Sequence, residues 1–199
     1  MRVPSPCSRT GECKEVFFWR TSVVFGSLRP APAPGRHSAL PGADLADCKL
    51  VAFPAGIYKA MRSVAEGIHR ISLANNELRA LAGRFATTFS QLRELNLEGN
   101  LLHRLPEELG SLLHLRAINL ARNKFRRFPE PLAAAPALES IDLEGNEIAE
   151  VPVEVLASMA SLRSLNLRAN PVCPDMRLLV RPLVPFELLL SPEGDVPEA

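Results

Sequence analysis

Cysteine is scarce and scattered in this chain. Cys7, Cys13, Cys48 and Cys173 form no C-x-x-C pair, and they stand too far apart to suggest a disulfide framework or a zinc site. Cysteines without such a framework suit a reducing compartment. Asparagine is plentiful, yet none opens an N-x-Ser/Thr sequon, which points the same way. No apolar run reaches the ~20 residues that a membrane helix needs. Charge of one sign is also lacking, since 23 Lys/Arg against 22 Asp/Glu leave a formal net charge of +1. The imbalance lies at the ends: six basic against two acidic residues in 1–42, and two against five in 171–199. Residues 43–170 carry fifteen of each sign. A neutral central region lacks the basic face that displaces counterions from phosphates, so nucleic acid is not an expected partner.

Catalytic signatures are missing as well. There is no G-x-G-x-x-G, Walker loop, G-x-S-x-G or H-E-x-x-H. His37, His69, His103 and His114 show no metal-ligand spacing. Glu107-Glu108 follows Pro106, where acids at a helix start complement the helix dipole. Cys48 and Cys173 stand in apolar contexts and read as buried structural thiols rather than nucleophiles. The expectation is a protein without catalytic residues, metal or cofactor.

What the chain does have is a period. Leu92 to Pro106 reads L-x-x-L-x-L-x-x-N-x-L-x-x-L-P, and aligned copies place Asn at 76, 100, 123, 146 and 170, in steps of 24, 23, 23 and 24 residues. Such a period marks a repeat solenoid. Each copy has an apolar strand core: Ile68–Leu73, Leu92–Leu97, Leu115–Leu120, Leu138–Leu143 and Leu162–Leu167. Alternate side chains enter the interior, and one unit alone cannot bury them, so the strands must stack into a parallel sheet. After each Asn comes an apolar residue: Leu78, Leu101 or Leu102, Phe125, Ile148 and Val172. The middle units then share Leu105-Pro106, Phe128-Pro129 and Val151-Pro152, with Leu109, Leu132 and Val155 three positions on. Pro presets the turn into the convex segment. Asn76, Asn100, Asn123, Asn146 and Asn170 are expected to satisfy backbone groups of neighbouring turns, because a buried amide needs partners. Cys48 occupies the equivalent position one unit earlier, giving a structural ladder of six.

The flanks depart from this pattern. Residues 1–42 hold Pro4, Pro6, Pro30, Pro32, Pro34 and Pro41 and show no periodicity. Arg20 interrupts the apolar patch Val16–Phe25, against a signal peptide. The prolines break any amphipathic presequence helix. A Pro-rich, largely disordered extension is the reading. Residues 43–67 form a divergent first repeat with a helix over Ile57–Gly67, residues 68–172 the five full repeats, 173–192 a carboxy-terminal cap and 193–199 an acidic tail. Two weak P-x-x-P matches, Pro171–Pro174 and Pro182–Pro185, are better read as parts of the cap.

Outward strand positions fall into three columns. The first holds His69, Arg93, Arg116, Glu139 and Arg163; the second Ser72, Asn96, Asn119, Asp142 and Asn166; the third Ala74, Glu98, Ala121, Glu144 and Arg168. None is aromatic. The candidates for binding a partner are Arg93, Asn96, Glu98, Arg116, Asn119, Asp142, Arg163, Asn166 and Arg168. A basic group, Arg122, Lys124, Arg126 and Arg127, precedes an acidic one, Glu144, Glu147, Glu150 and Glu154. Inter-repeat ion pairs or a partner footprint of matching polarity would explain it.

The unit L-x-x-L-x-L-x-x-N-x-L-x-x-L-P-x-x-L resembles the intracellular leucine-rich repeat family. Thr88–Leu95 and Ser191–Gly194, which the repeat does not dictate, are similar to one small member over roughly residues 44–194, while residues 1–42 depart from it. The resemblance implies an α/β leucine-rich repeat solenoid: a short curved horseshoe with a parallel sheet on the concave face and helical or 3-10 convex segments. It also implies a non-catalytic scaffold or adaptor that binds a protein partner through the concave face. The alternative is a regulatory accessory subunit of an enzyme such as a phosphatase. A cytoplasmic monomer is expected, with a secreted module as the alternative location.

Overall fold

The computed structural model describes residues 42–173 and 185–191. Seven short parallel strands form one sheet in chain order: β1 (Gly42–Asp44), β2 (Arg70–Ser72), β3 (Glu94–Asn96), β4 (Ala117–Asn119), β5 (Ser140–Asp142), β6 (Ser164–Asn166) and β7 (Glu187–Leu189). The central residues Ala43, Ile71, Leu95, Ile118, Ile141, Leu165 and Leu188 stand in register and face the core. Thus β1 begins at Gly42, one residue before the expected boundary, and the described part of the cap contributes a seventh strand. The remainder of the cap and the 1–41 extension lie outside the described residues, as do the tail and Pro182–Val184.

The strands are shorter than the six-residue cores read from the sequence. At the amino-terminal ends of β3 to β6, two successive N–H groups share one carbonyl at the start of the previous strand. Arg93 and Glu94 donate to the His69 oxygen at 2.7 and 3.0 Å, and Arg116 and Ala117 donate to the Arg93 oxygen at 2.8 and 3.1 Å. The sharing recurs from Glu139 and Ser140 to Arg116, and from Arg163 and Ser164 to Glu139. This doubled step inserts one extra residue between two inward leucines. It explains why the repeat begins L-x-x-L rather than with strict alternation.

Unit length governs the convex side. The two 23-residue steps cross it in 3-10 turns, Glu107–Ser111 and Glu130–Ala134, whereas the two 24-residue steps use α-helical turns, α2 (Arg84–Thr88) and α3 (Val153–Ser158). An α-helix rises ~1.5 Å per residue against ~2.0 Å for a 3-10 helix, so the extra residue lets the tighter rise span the same gap. One consequence corrects the sequence reading: Leu156, fully buried, fills the place taken by Leu109 and Leu132, and Val155 is only half-buried. Similarly Leu102, not Leu101, enters the core. Pro106, Pro129 and Pro152 are extended and precede these turns, their carbonyls accepting from Leu109, Leu132 and Leu156 at 3.0–3.1 Å.

The helix expected over Ile57–Gly67 is instead α1 (Ala55–Ala60) followed by a 3-10 turn at Ala65–Gly67. Val64 donates to Met61 and Gly67 to Val64, both at 3.0 Å. These stepwise i→i+3 turns follow the curved surface and keep Ile57, Tyr58, Ala65 and Ile68 buried. The core here is aromatic. Phe53 lies 4.8 Å from Tyr58 and 5.2 Å edge-on from Phe85, and Phe85 lies 5.1 Å from Phe89. Large rings fill the room left by the longer first step. Burial holds the Tyr58 phenol above its ordinary range, while the Arg84 guanidinium over its ring pulls the other way.

Candidate functional site: the sheet face and its edge

Five asparagines line the edge where the chain leaves each strand. All are 2–6% exposed. Asn123 shows the pattern: Nδ2 donates to the Leu97, Leu120 and Ala121 carbonyls at 3.0–3.1 Å, and Oδ1 accepts from the Leu102 N–H at 3.1 Å. Asn100, Asn146 and Asn170 repeat it in their own units. Asn76 donates to Leu45, Leu73 and Ala74 and accepts from both Cys48 and Leu50. At the sixth position the half-buried Cys48 thiol donates to the Ala46 carbonyl at 3.3 Å. Cys173, read as buried, is exposed. It follows Val172, which is buried in the core.

The residue before each ladder position sits in the left-handed backbone region: Asp47, Asn75, Gly99, Arg122, Gly145 and Ala169 have φ of 52–66°. Gly99 and Gly145 suit it; Arg122 and Ala169 carry a Cβ into a conformation that disfavours one. This corner was missed in the sequence. Its signal was the E-G-N of two units, which the others replace by A-D-C, A-N-N, A-R-N and R-A-N.

The sheet face is less free than the sequence columns suggest. Asn96, Asn119, Asp142 and Asn166 are half-buried, and each Oδ1 accepts the N–H two residues on, from Glu98, Ala121, Glu144 and Arg168, at 2.9–3.1 Å. Asp44 does the same for Ala46 at 3.1 Å. These short side chains bend each strand into the left-handed corner. The Asn119 amide also reaches Glu98 at 3.2 Å, and the Asn166 amide reaches Asp142 at 3.2 Å and Glu144 at 2.9 Å. Ala74 and Ala121, placed in the outward third column, are buried. A hollow of about 350 Å³ lies over this end of the face, lined by Glu98, Asn119, Ala121, Arg122, Asp142 and Glu144.

Cations gather at the opposite, amino-terminal ends of the strands. Arg70 pairs with Glu94 at 3.1 Å and Arg163 with Glu139 at 3.7 Å. Arg93 and Arg116 are exposed and make no ion pair among the described residues, and neither does Arg168 at the far end. The basic and acidic groups beyond the ladder meet in part: Lys124 and Arg126 converge on Glu147 at 3.4 and 3.2 Å. The Arg126 hydrogen bond, then the Lys124 one, hold the Glu147 carboxyl below its usual range. Arg122 turns the other way, to Glu98. Among the described residues no cluster of His, Cys, Asp or Glu could hold a metal ion, and no helix is long and apolar enough to cross a membrane.

Comparison with known proteins agrees with this geometry. Residues 66–125 match the leucine rich repeat model. Leucine-rich repeat-containing protein 20 of Mus musculus is 68% identical over 150 residues, covering 75% of this chain and 82% of that protein. The Homo sapiens protein of the same name is 64% identical over 151 residues, covering 76% and 82%. The chain belongs to the leucine-rich repeat family. Among solved leucine-rich repeat structures, a Leptospira interrogans protein superposes with a TM-score of 0.61 at 27% identity, over 70% of this chain and 34% of that one. The leucine-rich repeat domain of the type III effector XopL gives 0.55 at 26%, over 75% and 51%. This chain therefore spans between a third and about half of those two chains. Membership of the leucine-rich repeat family points to a protein–protein interaction module.

Proposed function

We propose that the chain is a non-catalytic scaffold or adaptor whose concave sheet face docks a partner protein. The observation that supports this most is the contrast along the strand starts: Arg70 and Arg163 are satisfied within the molecule, whereas Arg93 and Arg116, between them, project without an ion partner among the described residues. Arginine is favoured at protein interfaces because its planar fork forms paired hydrogen bonds to carboxylates. The polar floor is held in place by its own Asn and Asp bonds, so little ordering would be lost on docking. A cytoplasmic location fits the absence of disulfide spacing among the four cysteines.

The test is affinity capture from cells with the intact chain, repeated with Arg93, Arg116 and Arg163 changed to Glu. A specific partner should be recovered by the former and lost by the latter. Undiminished recovery would remove the concave face from the account. An enzyme activity that co-purifies stoichiometrically, and changes rate when this chain is added back, would instead favour the accessory-subunit reading.

A further inference from the structure

The concave face carries a sharper statement, one that rests on the docking reading above. Arg93 and Arg116 stand at matching positions on adjacent strands, one residue before the in-register pair Glu94 and Ala117. The Arg116 N–H donates to the Arg93 carbonyl at 2.8 Å, so the two backbones are locked side by side. Neighbouring strands lie about 4.8 Å apart, and like charges placed opposite each other on a sheet destabilise it. The carboxylates that relieve this crowding elsewhere in the row are already used. Glu94 is engaged by Arg70 and Glu139 by Arg163. Two adjacent guanidiniums thus lack internal counter-charge among the described residues, on the side of the sheet away from the acidic hollow formed by Glu98, Asp142 and Glu144.

We infer that Arg93 and Arg116 form a two-pronged clamp for carboxylates on an extended acidic segment of a partner protein lying across the sheet. Alternate residues of an extended segment share one face, about 6.5–7 Å apart. Two flexible arginines can meet such a pair of carboxylates, one fork to each. The acidic hollow at the other strand ends repels the same segment, and this fixes it to the Arg93 side.

The test uses the full chain and a labelled peptide of alternating Glu and Ser, followed by fluorescence anisotropy at low salt. Saturable binding is expected, weaker by about tenfold or more in R93E/R116E, the loss of roughly one good charge pair. R93K/R116K should retain part of the affinity. A Lys–Ser peptide should prefer R93E/R116E to the unaltered chain. Equal binding of the Glu–Ser peptide by R93E/R116E, or equal affinity for a Gln–Ser peptide, overturns the clamp. Tighter binding of a single-stranded oligonucleotide, lost in the same variant, overturns the assignment of a protein segment. The clamp and the docking reading fail separately. With Ser140→Trp blocking the same sheet face on β5, partner capture lost in S140W but intact in R93E/R116E leaves the face and removes the clamp. Capture intact in both removes both.

Discussion

Asn119 and Asn123 are the same residue type, four positions apart in one unit, yet they belong to two different regions. Asn123, at the edge, is 2% exposed and connects two neighbouring turns through four hydrogen bonds to backbone. Asn119, on the sheet face, is half-buried, makes one local bond to Ala121 N–H and gives its amide to Glu98. At the edge the five full units have the same residue with equivalent backbone partners, because stacking repeats one geometry. On the face the residue type drifts between Asn and Asp where the local bond is made, since only a short acceptor is needed there. The edge therefore specifies the fold, and the face is where one protein of this architecture can differ from another.

Substitutions can break this comparison. Asn123→Ala should have the largest effect: four hydrogen bonds are lost in a dry site and the Leu102 N–H is left without a partner, at a cost of about 3 kcal/mol. Chemical denaturation should show it as a lowered midpoint. Asn119→Ala should cost only about 1 kcal/mol, the value of a single local bond near solvent. Equal costs would mean that edge and face are not energetically distinct. At the corner between them, Ala169→Gly should stabilise by about 0.5–1 kcal/mol, since the left-handed backbone penalises a Cβ. A thermal melt would register it as an upward shift. R93E/R116E should move stability by no more than about 0.5 kcal/mol, as exposed changes away from the core do. Last, the carboxyl of Glu147 titrates below its ordinary value because of Arg126 and Lys124, so its contribution is present above the unfolded value and fades as pH falls through the folded one. Comparing E147Q with the unaltered chain across acid pH should show curves converging at low pH, with a small gap at neutral pH.

The two regions also differ in how legible they were. The repeat pattern named the inward strand residues of β2 to β6, because burial leaves a fixed apolar signature at fixed spacing. It placed Val155 where Leu156 enters the core, because the one extra residue of that unit shifts the register of the convex side; Leu102 stands two positions after its Asn, as Leu78, Phe125, Ile148 and Val172 do. It also treated Arg93 as the start of an alternating strand, whereas the doubled hydrogen bond at the His69 oxygen gives that position its exposure. Pairings such as Arg122 with Glu98 depend on which way long side chains lean between units, and periodicity carries no information about that.

The most direct test of the central claim compares one variant with the unaltered chain on two readouts. R93E/R116E and the unaltered chain are measured side by side for melting temperature and for partner recovered from cells. The account predicts unchanged melting and lost recovery, because the face carries recognition and the edge carries the fold. Unchanged melting with full recovery would contradict it.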